Sequence, residues 1–392
     1  MNSYYLRVKF GDTDVPLSIS NLRELTVVQD MHRFLPEFRM KVVDATGAIT
    51  HVLPFDKKMN TAFIEWAQDL DSETPNSITF DVYQSEPDSD QSTPATIYDI
   101  QGLMSIEGLM GPDYSRSFSG NVDTSLTAVA TEFGTDEIDI SSSLAYSKDL
   151  IQPYQSNIQF LSYYRDRLIG ANGEHTYKCF IKVSEGTSTF VFKNIEELIS
   201  DQVSYKFSLS DTKYEDRYPI FNYAMYNNYK SYIAFAAQSQ AYAYFDYNTT
   251  EFVRAEESID DYLSLTDYFL VDTGDTSGSN CLVNYGRNND FTTDFKGPAK
   301  SSYGNRLYGM VKLWITTQGL TNACPGQTVE VFFPFGLQAD ALCSYQYSGY
   351  WLVERVVHNF GGHFLTKLLL TRNGLDTDQG TTLLPATMKK RV

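Results

Sequence analysis

Apolar and polar residues alternate with a period of two at both ends of this chain, and a helical period replaces that pattern only in the middle. In Phe38-Arg39-Met40-Lys41-Val42 every second side chain is apolar, as in a strand with one face buried. The spacing predicts further strands at Leu25–Asp30, Ala62–Ala67, Ile78–Tyr83 and Thr96–Ile106. Met31-His32-Arg33-Phe34-Leu35-Pro36 reads as a break and Asp44-Ala45-Thr46-Gly47 as a turn. The polar run from Ser85 to Pro94 reads as a hairpin tip or loop.

The period then changes. Asp123 or Thr124 can cap a short helix whose apolar face is Leu126, Val129, Ala130 and Phe133, closed by Gly134. A second helix is written in QSNIQFLSYYRDRLIGANG, residues 155–173. Ser156 caps it, Ile158, Leu161, Tyr164 and Leu168 share a face, and Gly170 suits a left-handed exit. Strands at Tyr177–Val183 and Thr189–Lys193 flank the turn Ser184-Glu185-Gly186, so residues 123–203 read as a small α/β module. From 204 the chain is β again. Val203–Leu209 opens this part, and a Tyr/Ala-rich region to about 305 holds weak strands and turns. Met310–Thr316, Thr328–Phe333, Tyr350–His358 and Phe364–Thr371 close it. In Tyr350–His358, strict alternation puts Trp351, Val353, Arg355 and Val357 on one face and Leu352, Glu354 and Val356 on the other. Asn359-Phe360-Gly361-Gly362 supplies the final turn.

With 28 Tyr and 25 Phe against 3 Trp, the composition favours pleated, half-buried surfaces and broad protein contacts. The net charge of −18 is concentrated. No base occurs between Lys58 and Arg116, where there are eleven acids; from Glu251 to Asp294 ten acids face only Arg254 and Arg287. Such a surface repels phosphate, which argues against tight nucleic-acid binding; it reads first as solvated loops that keep the protein soluble, and otherwise as a surface past which nucleic acid can slide without sticking. MNSYYLRVKF lacks the pattern of a secretory signal, and Ser231–Phe245 is too short and polar to span a bilayer. Cys179, Cys281, Cys324 and Cys343 lie far apart with no metal-type spacing and read as buried free thiols. Asn248-Thr249-Thr250 is a formal glycosylation sequon, idle without secretion.

The chemical candidates are thin. FLVDTGDTSGSN, residues 269–280, contains Asp272-Thr273-Gly274, which looks like an aspartic-protease loop. That chemistry needs two carboxylates brought together from opposing lobes. The second Asp-Thr, Asp275-Thr276, is far too close in sequence to be on another lobe, so Asp272 reads as a turn residue. His358 and His363 flank the glycine turn and could face each other, but two ligands do not make a zinc site. No P-loop, dinucleotide fingerprint or nucleophile elbow is present. No catalytic, metal or cofactor-binding residue is assigned, and the chain reads as a non-enzyme.

Three segments, in order, carry a resemblance. They are LTVVQDMHRFLPEFRMKVVDATG at 25–47, IQPYQSNIQFLSYYRDRLIGANGEHTYKCFIKV at 151–183, and LTNACPGQTVEVFFP at 320–334 followed by SGYWLVERVVHNFGGHFLTKLLLTRNG at 348–374. Together they resemble the baseplate central hub proteins of contractile (myovirus) phage tails and the related hub half of the type VI secretion spike protein. The resemblance implies a mainly β fold with two tail-tube-like β-barrels, a small α/β module and loop-rich insertions. It divides the chain into a first barrel at 1–122, the α/β module at 123–203, and a second barrel at 204–230 with 306–375. Residues 231–305 are then an insertion with no counterpart in the family pattern, and 376–392 a C-terminal tail. The implied protein is a virion component assembled in the host cytoplasm. Three copies would form a ring whose six barrels match the six-fold tail tube. Its partners would be the central spike protein below, tail-tube or tube-initiator proteins above, and the baseplate wedge proteins, with phage DNA passing the lumen unbound. No cofactor and no stable membrane insertion are expected. The alternative is a receptor-binding tail protein whose tyrosines recognise host glycans; a hydrolase would need two carboxylates converging in a cleft.

Overall fold

The computed structural model describes residues 4–11, 17, 19–44, 61–69, 74–88, 96–109, 111–199, 202–209, 216–227, 240–246, 251–257 and 282–285. It also describes isolated positions between 297 and 309, then 311–335, 342–343 and 348–372. The fold is mainly β. Strands β1 (Tyr5–Phe10), β2 (Leu22–Asp30), β3 (Glu37–Asp44), β4 (Thr61–Ala67), β5 (Asn76–Asp88) and β6 (Thr96–Met104) form an antiparallel ladder in the order β1-β4-β5-β6-β3-β2. The alternation sets the register. Leu6, Val8 and Phe10 face inward beside Ala62, Ile64 and Trp66, and Arg7 meets Glu65 on the outer face.

Next come β7 (Tyr114–Phe118), helix α1 (Val122–Thr131), β8 (Glu137–Ile140), β9 (Leu150–Gln155), helix α2 (Asn157–Arg165), β10 (Tyr177–Ser184) and β11 (Thr187–Asn194). β10 and β11 form a hairpin, β8 joins β11 in parallel, and β7 pairs with β9 as a separate ribbon. Glu185 (φ 54°) and Gly186 (φ 72°) take the left-handed turn. α1 buries the expected Leu126, Val129 and Ala130, and Phe133 just beyond it, before Gly134 at φ 65°. Its N-cap, however, is Asn121, ahead of both Asp123 and Thr124, because the helix already begins at Val122. At α2 the capping box is complete: Gln159 N–H donates to Ser156 Oγ, and Ser156 N–H donates to Gln159 Oε1.

α2 stops earlier than its sequence period suggests, with Asp166 as C-cap. Gly170 is not its left-handed exit. Glycine is required there for space, since a Cβ would meet the Tyr177 hydroxyl at 2.7 Å. Leu161 and Leu168 are buried while Ile158 is only partly so. Leu161→Ala is expected to cost about 2–5 kcal/mol through the cavity it leaves. An unchanged thermal midpoint would show that this face does not pack.

The remaining strands are β12 (Tyr205–Ser208), β13 (Tyr218–Pro219), β14 (Asn222–Asn227), β15 (Gln240–Asp246), β16 (Glu251–Glu257), β17 (Leu282–Tyr285), β18 (Val311–Gln318), β19 (Thr328–Phe332), β20 (Pro334–Phe335), β21 (Leu342–Cys343), β22 (Gly349–Phe360) and β23 (Phe364–Arg372). β15 to β17 make a small separate sheet, and β20 pairs with β21. Most of 231–305 and all of 376–392 lie outside the described residues.

β22 joins the two ends of the chain. Its first half pairs with β19, its second half pairs with β2, and its opposite edge carries β23 along most of its length. Thirteen strands thereby become one sheet. The second part closes on itself. β13 pairs with β12 and runs directly into β14, which pairs with β18, so the path β12-β19-β22-β23-β18 returns to its start. On the other side, Tyr4 just before β1 reaches the β22–β23 turn, where its hydroxyl donates to the Gly361 carbonyl at 2.6 Å.

A β-bulge at Glu354 corrects the expected face of β22. Trp351 and Val353 point into the second core as alternation requires, but beyond the bulge Val356, His358 and Phe360 turn inward instead of Arg355 and Val357. The extra residue shifts the pleat by one. Among the described residues no helix is long and apolar enough to cross a membrane.

Candidate functional site

Charged side chains from four strands and the β2–β3 connection converge where the α/β module meets both halves of the sheet. The carboxylate of Asp30, at the end of β2, accepts from Arg355 Nε at 2.7 Å and from the His32 backbone N–H at 2.8 Å. The bulge residue Glu354 takes Met31 N–H on its carbonyl. Its carboxylate meets His32 Nε2 at 3.2 Å and Lys312 Nζ of β18 at 2.8 Å. Lys178 of β10, buried, lies 3.5 Å from His32 Nδ1 and donates to Asn305 Oδ1 at 2.5 Å. Burial alone would raise the Glu354 carboxyl, but the His32 and Lys312 contacts outweigh it and hold it at about 2. Burial lowers the Lys178 ammonium to about 8.

Neutral bonds lock the same junction. The Gln29 amide pairs with the backbone of Val183 through both its groups, Nε2 to the carbonyl at 3.1 Å and Oε1 from the N–H at 2.8 Å. Asn76 Nδ2 donates to Val183 O and Thr321 O, and its Oδ1 accepts from Gly186 N–H. One asparagine thus ties β5, the β10–β11 hairpin and the β18–β19 turn together. The arrangement is a rigid joint.

The outward surfaces carry aromatic residues. Arg116 holds the β7–β9 ribbon to the helices by bonds to Gln152, Glu132 and Asn157, and its guanidinium lies over the Tyr114 ring. The ribbon presents Ile151 and Tyr154, 49% and 75% exposed. Tyr154 is held at φ 49°, a left-handed conformation that costs roughly 1–2 kcal/mol for a non-glycine residue. β14 and the residue before it expose Phe221, Tyr223 and Tyr226. A third apolar feature is an open groove of about 670 Å³ between β5, β6 and residues 105–109, lined by Val82, Tyr83, Leu103, Ile106 and Leu109.

Asp272 and Asp275, the sequon at Asn248, and Cys281 lie outside the described residues. His358 and His363 do not face each other. Phe360 pairs with Phe364, so His363 falls in the exposed turn while His358 is buried beside Thr366. Among the described residues no three His, Cys, Asp or Glu side chains are placed to hold a metal ion. Cys179 and Cys324 are free and buried, and burial pushes the Cys179 thiol up to about 12. The acidic stretch 59–115 is partly neutralised across the ladder, where Glu65 meets Arg7 and Asp99 meets Arg39. The junction cluster was not anticipated from sequence. Its only local trace is the charged break Asp30-Met31-His32-Arg33 and the adjacent Glu354-Arg355 inside an otherwise apolar strand.

No protein-family model matches the sequence, and no curated protein matches it. Solved structures do match the fold. A tail protein from Neisseria meningitidis superposes with a TM-score of 0.58 at 10% identity, covering 95% of this chain and 97% of that one. The 43 kDa tail protein of prophage MuSo2 from Shewanella oneidensis gives 0.58 at 10% identity over 95% and 99% of the two chains. An E. coli component of the type VI secretion system, described as structurally similar to the T4 bacteriophage tail proteins gp27 and gp5, gives 0.51 at 8% identity over 97% and 80%. The chain therefore shares the fold of these phage tail proteins and of the type VI secretion component.

Proposed function

We propose that this protein is the structural hub of a contractile phage tail baseplate, a trimeric ring adaptor that joins the six-fold tail tube to the three-fold central spike. The observation that carries the reading is β22, which binds both halves of the sheet in one continuous ladder. A strand common to two β units holds them at fixed spacing within a chain, so three copies present six units around an axis. In this reading residues 1–122 are the first barrel, 204–230 with 306–375 the second, and 123–203 the α/β module. The tail-protein fold over 95% of the chain supports the same conclusion.

The exposed aromatic residues on the ribbon and on β14 suit permanent protein contacts with neighbouring copies, the spike, the tube and the wedges. Some of the acids in the two acidic stretches, a minority, would line the channel and keep passing DNA off its wall. The hub would act on no substrate and would reside in the virion after assembly in the host cytoplasm.

Light scattering of the purified chain at tens of micromolar, with negative-stain imaging, tests the proposal. A trimer forming a ring with a central hole is the expected result. A strict monomer that forms no ring even with its spike partner would overturn it. The same exposed tyrosines, Tyr83, Tyr154, Tyr223 and Tyr226, favour the second reading of a glycan-recognising tail protein. Specific glycan binding by a monomer would decide for that one.

A further inference from the structure

We propose that Lys178 and Asn305 join in an intramolecular isopeptide bond, formed by the folded chain itself with His32 as the proton carrier. The two side chains already touch, Lys178 Nζ to Asn305 Oδ1, across 127 residues of sequence. The strand period puts Lys178 on the same side of β10 as Phe180, facing the small apolar core of Met31, Phe180, Tyr308 and Leu352. A buried primary amine and a partly buried carboxamide are thus held together, which is the proximity that amide exchange lacks in solution.

The neighbouring groups have the order of a nucleophile activated by an oriented base. Glu354 Oε1 lies 3.2 Å from His32 Nε2, and His32 Nδ1 lies 3.5 Å from Lys178 Nζ. The Glu354 carboxylate accepts at Nε2, so the tautomer that carries its proton there presents the Nδ1 lone pair to the amine. Lowered to about 8 by burial, the lysine is neutral in about a tenth of molecules near pH 7.

In the step, neutral Nζ attacks Cγ of Asn305 and His32 Nδ1 takes a proton from the attacking nitrogen. The tetrahedral centre collapses, His32 returns the proton to Nδ2, and that nitrogen leaves as ammonia. One Nζ–Cγ bond forms, one Cγ–Nδ2 bond breaks, and nothing is oxidised or reduced. His32 is half-exposed, which opens a route for ammonia to solvent. The product replaces a buried ammonium by a neutral amide, which removes a desolvation cost. It also fastens β10 of the α/β module covalently to the segment that leads into β18.

The test is the intact mass of the purified full-length chain after several days at pH 8. The proposal expects a mass lower by one ammonia per chain and, after digestion, a branched peptide joining positions 178 and 305. Formation should be faster at pH 8 than at pH 6, absent in Lys178→Met, and about 100-fold or more slower in His32→Ala. Unmodified mass, with Lys178 and Asn305 recovered in separate intact peptides, would overturn the bond. Deamidation of Asn305 without a branched peptide would overturn it equally. His32→Ala cross-linking at the wild-type rate would remove His32 from the step.

Discussion

Replacing Trp66 by alanine is expected to cost about 3–5 kcal/mol and to loosen the two halves of the sheet from each other. Trp66 sits on β4 in the first ladder and is fully buried. Its ring lies 5.4 Å from His358 and edge-on to Phe360 at 5.9 Å, both on the shared strand β22. Its Nε1–H donates to the Thr321 carbonyl at 3.2 Å, in the turn between β18 and β19 of the second unit. Alanine removes the packing on β22 and leaves that carbonyl one donor short. Trp66→Phe keeps much of the volume but not the N–H, so it should lose distinctly less. Equilibrium denaturation followed by circular dichroism measures both, and a second transition in Trp66→Ala would report the uncoupling. A loss below about 1 kcal/mol in Trp66→Ala would mean that the halves hold together without this contact.

Acid should destabilise the fold in two overlapping windows. Burial lowers the His358 imidazole from 6.5 to about 3, so the native ring stays neutral. In the unfolded chain the same ring takes up a proton near pH 6.5. Between those values the unfolded state binds more protons, and stability falls as pH falls, by up to about 1.4 kcal/mol per pH unit. Glu354 adds a second loss. Its folded value of about 2 lies below the unfolded 4.5, so its contribution is complete above pH 4.5 and disappears as pH falls towards 2. The thermal midpoint should therefore drop steadily from pH 7 to pH 4. His358→Gln should flatten the upper part of that profile, and Glu354→Gln the lower. A wild-type midpoint that stays level between pH 6.5 and pH 4.5 would refute the assignment to His358.

Local rules reach a long way in this chain. Phe38 to Val42 alternate and form β3, Ser156 and Gln159 close a capping box, and Glu185-Gly186 turns left-handed between β10 and β11. Each depends on neighbours within a few residues, whose side chains either share a face or satisfy the free N–H groups of a helix end. The ordered resemblance of three segments carried the same information to the level of the fold. β1 alternates as cleanly as β3 and was equally legible, whereas β7, β8 and β9 bury their side chains irregularly and are defined by distant pairing partners.

Tertiary structure decided everything that depends on who lies across the ladder. Arg355 reaches Asp30 across 325 positions, and the acids at 65 and 99 find their bases on strands outside the acidic stretch. The junction of Asp30, His32, Lys178, Lys312, Glu354 and Arg355 exists only because β2, β10, β18 and β22 meet there. The bulge at Glu354 shows the same limit within one strand. Alternation alone puts Val357 on the Trp351 face, but the register with β23 slips by one residue at Glu354 and exchanges the faces of β22. Periodicity determines which residues can share a surface, because side-chain direction follows from the local backbone. Pairing determines which surfaces meet and where the register slips, because those energies come from residues hundreds of positions apart.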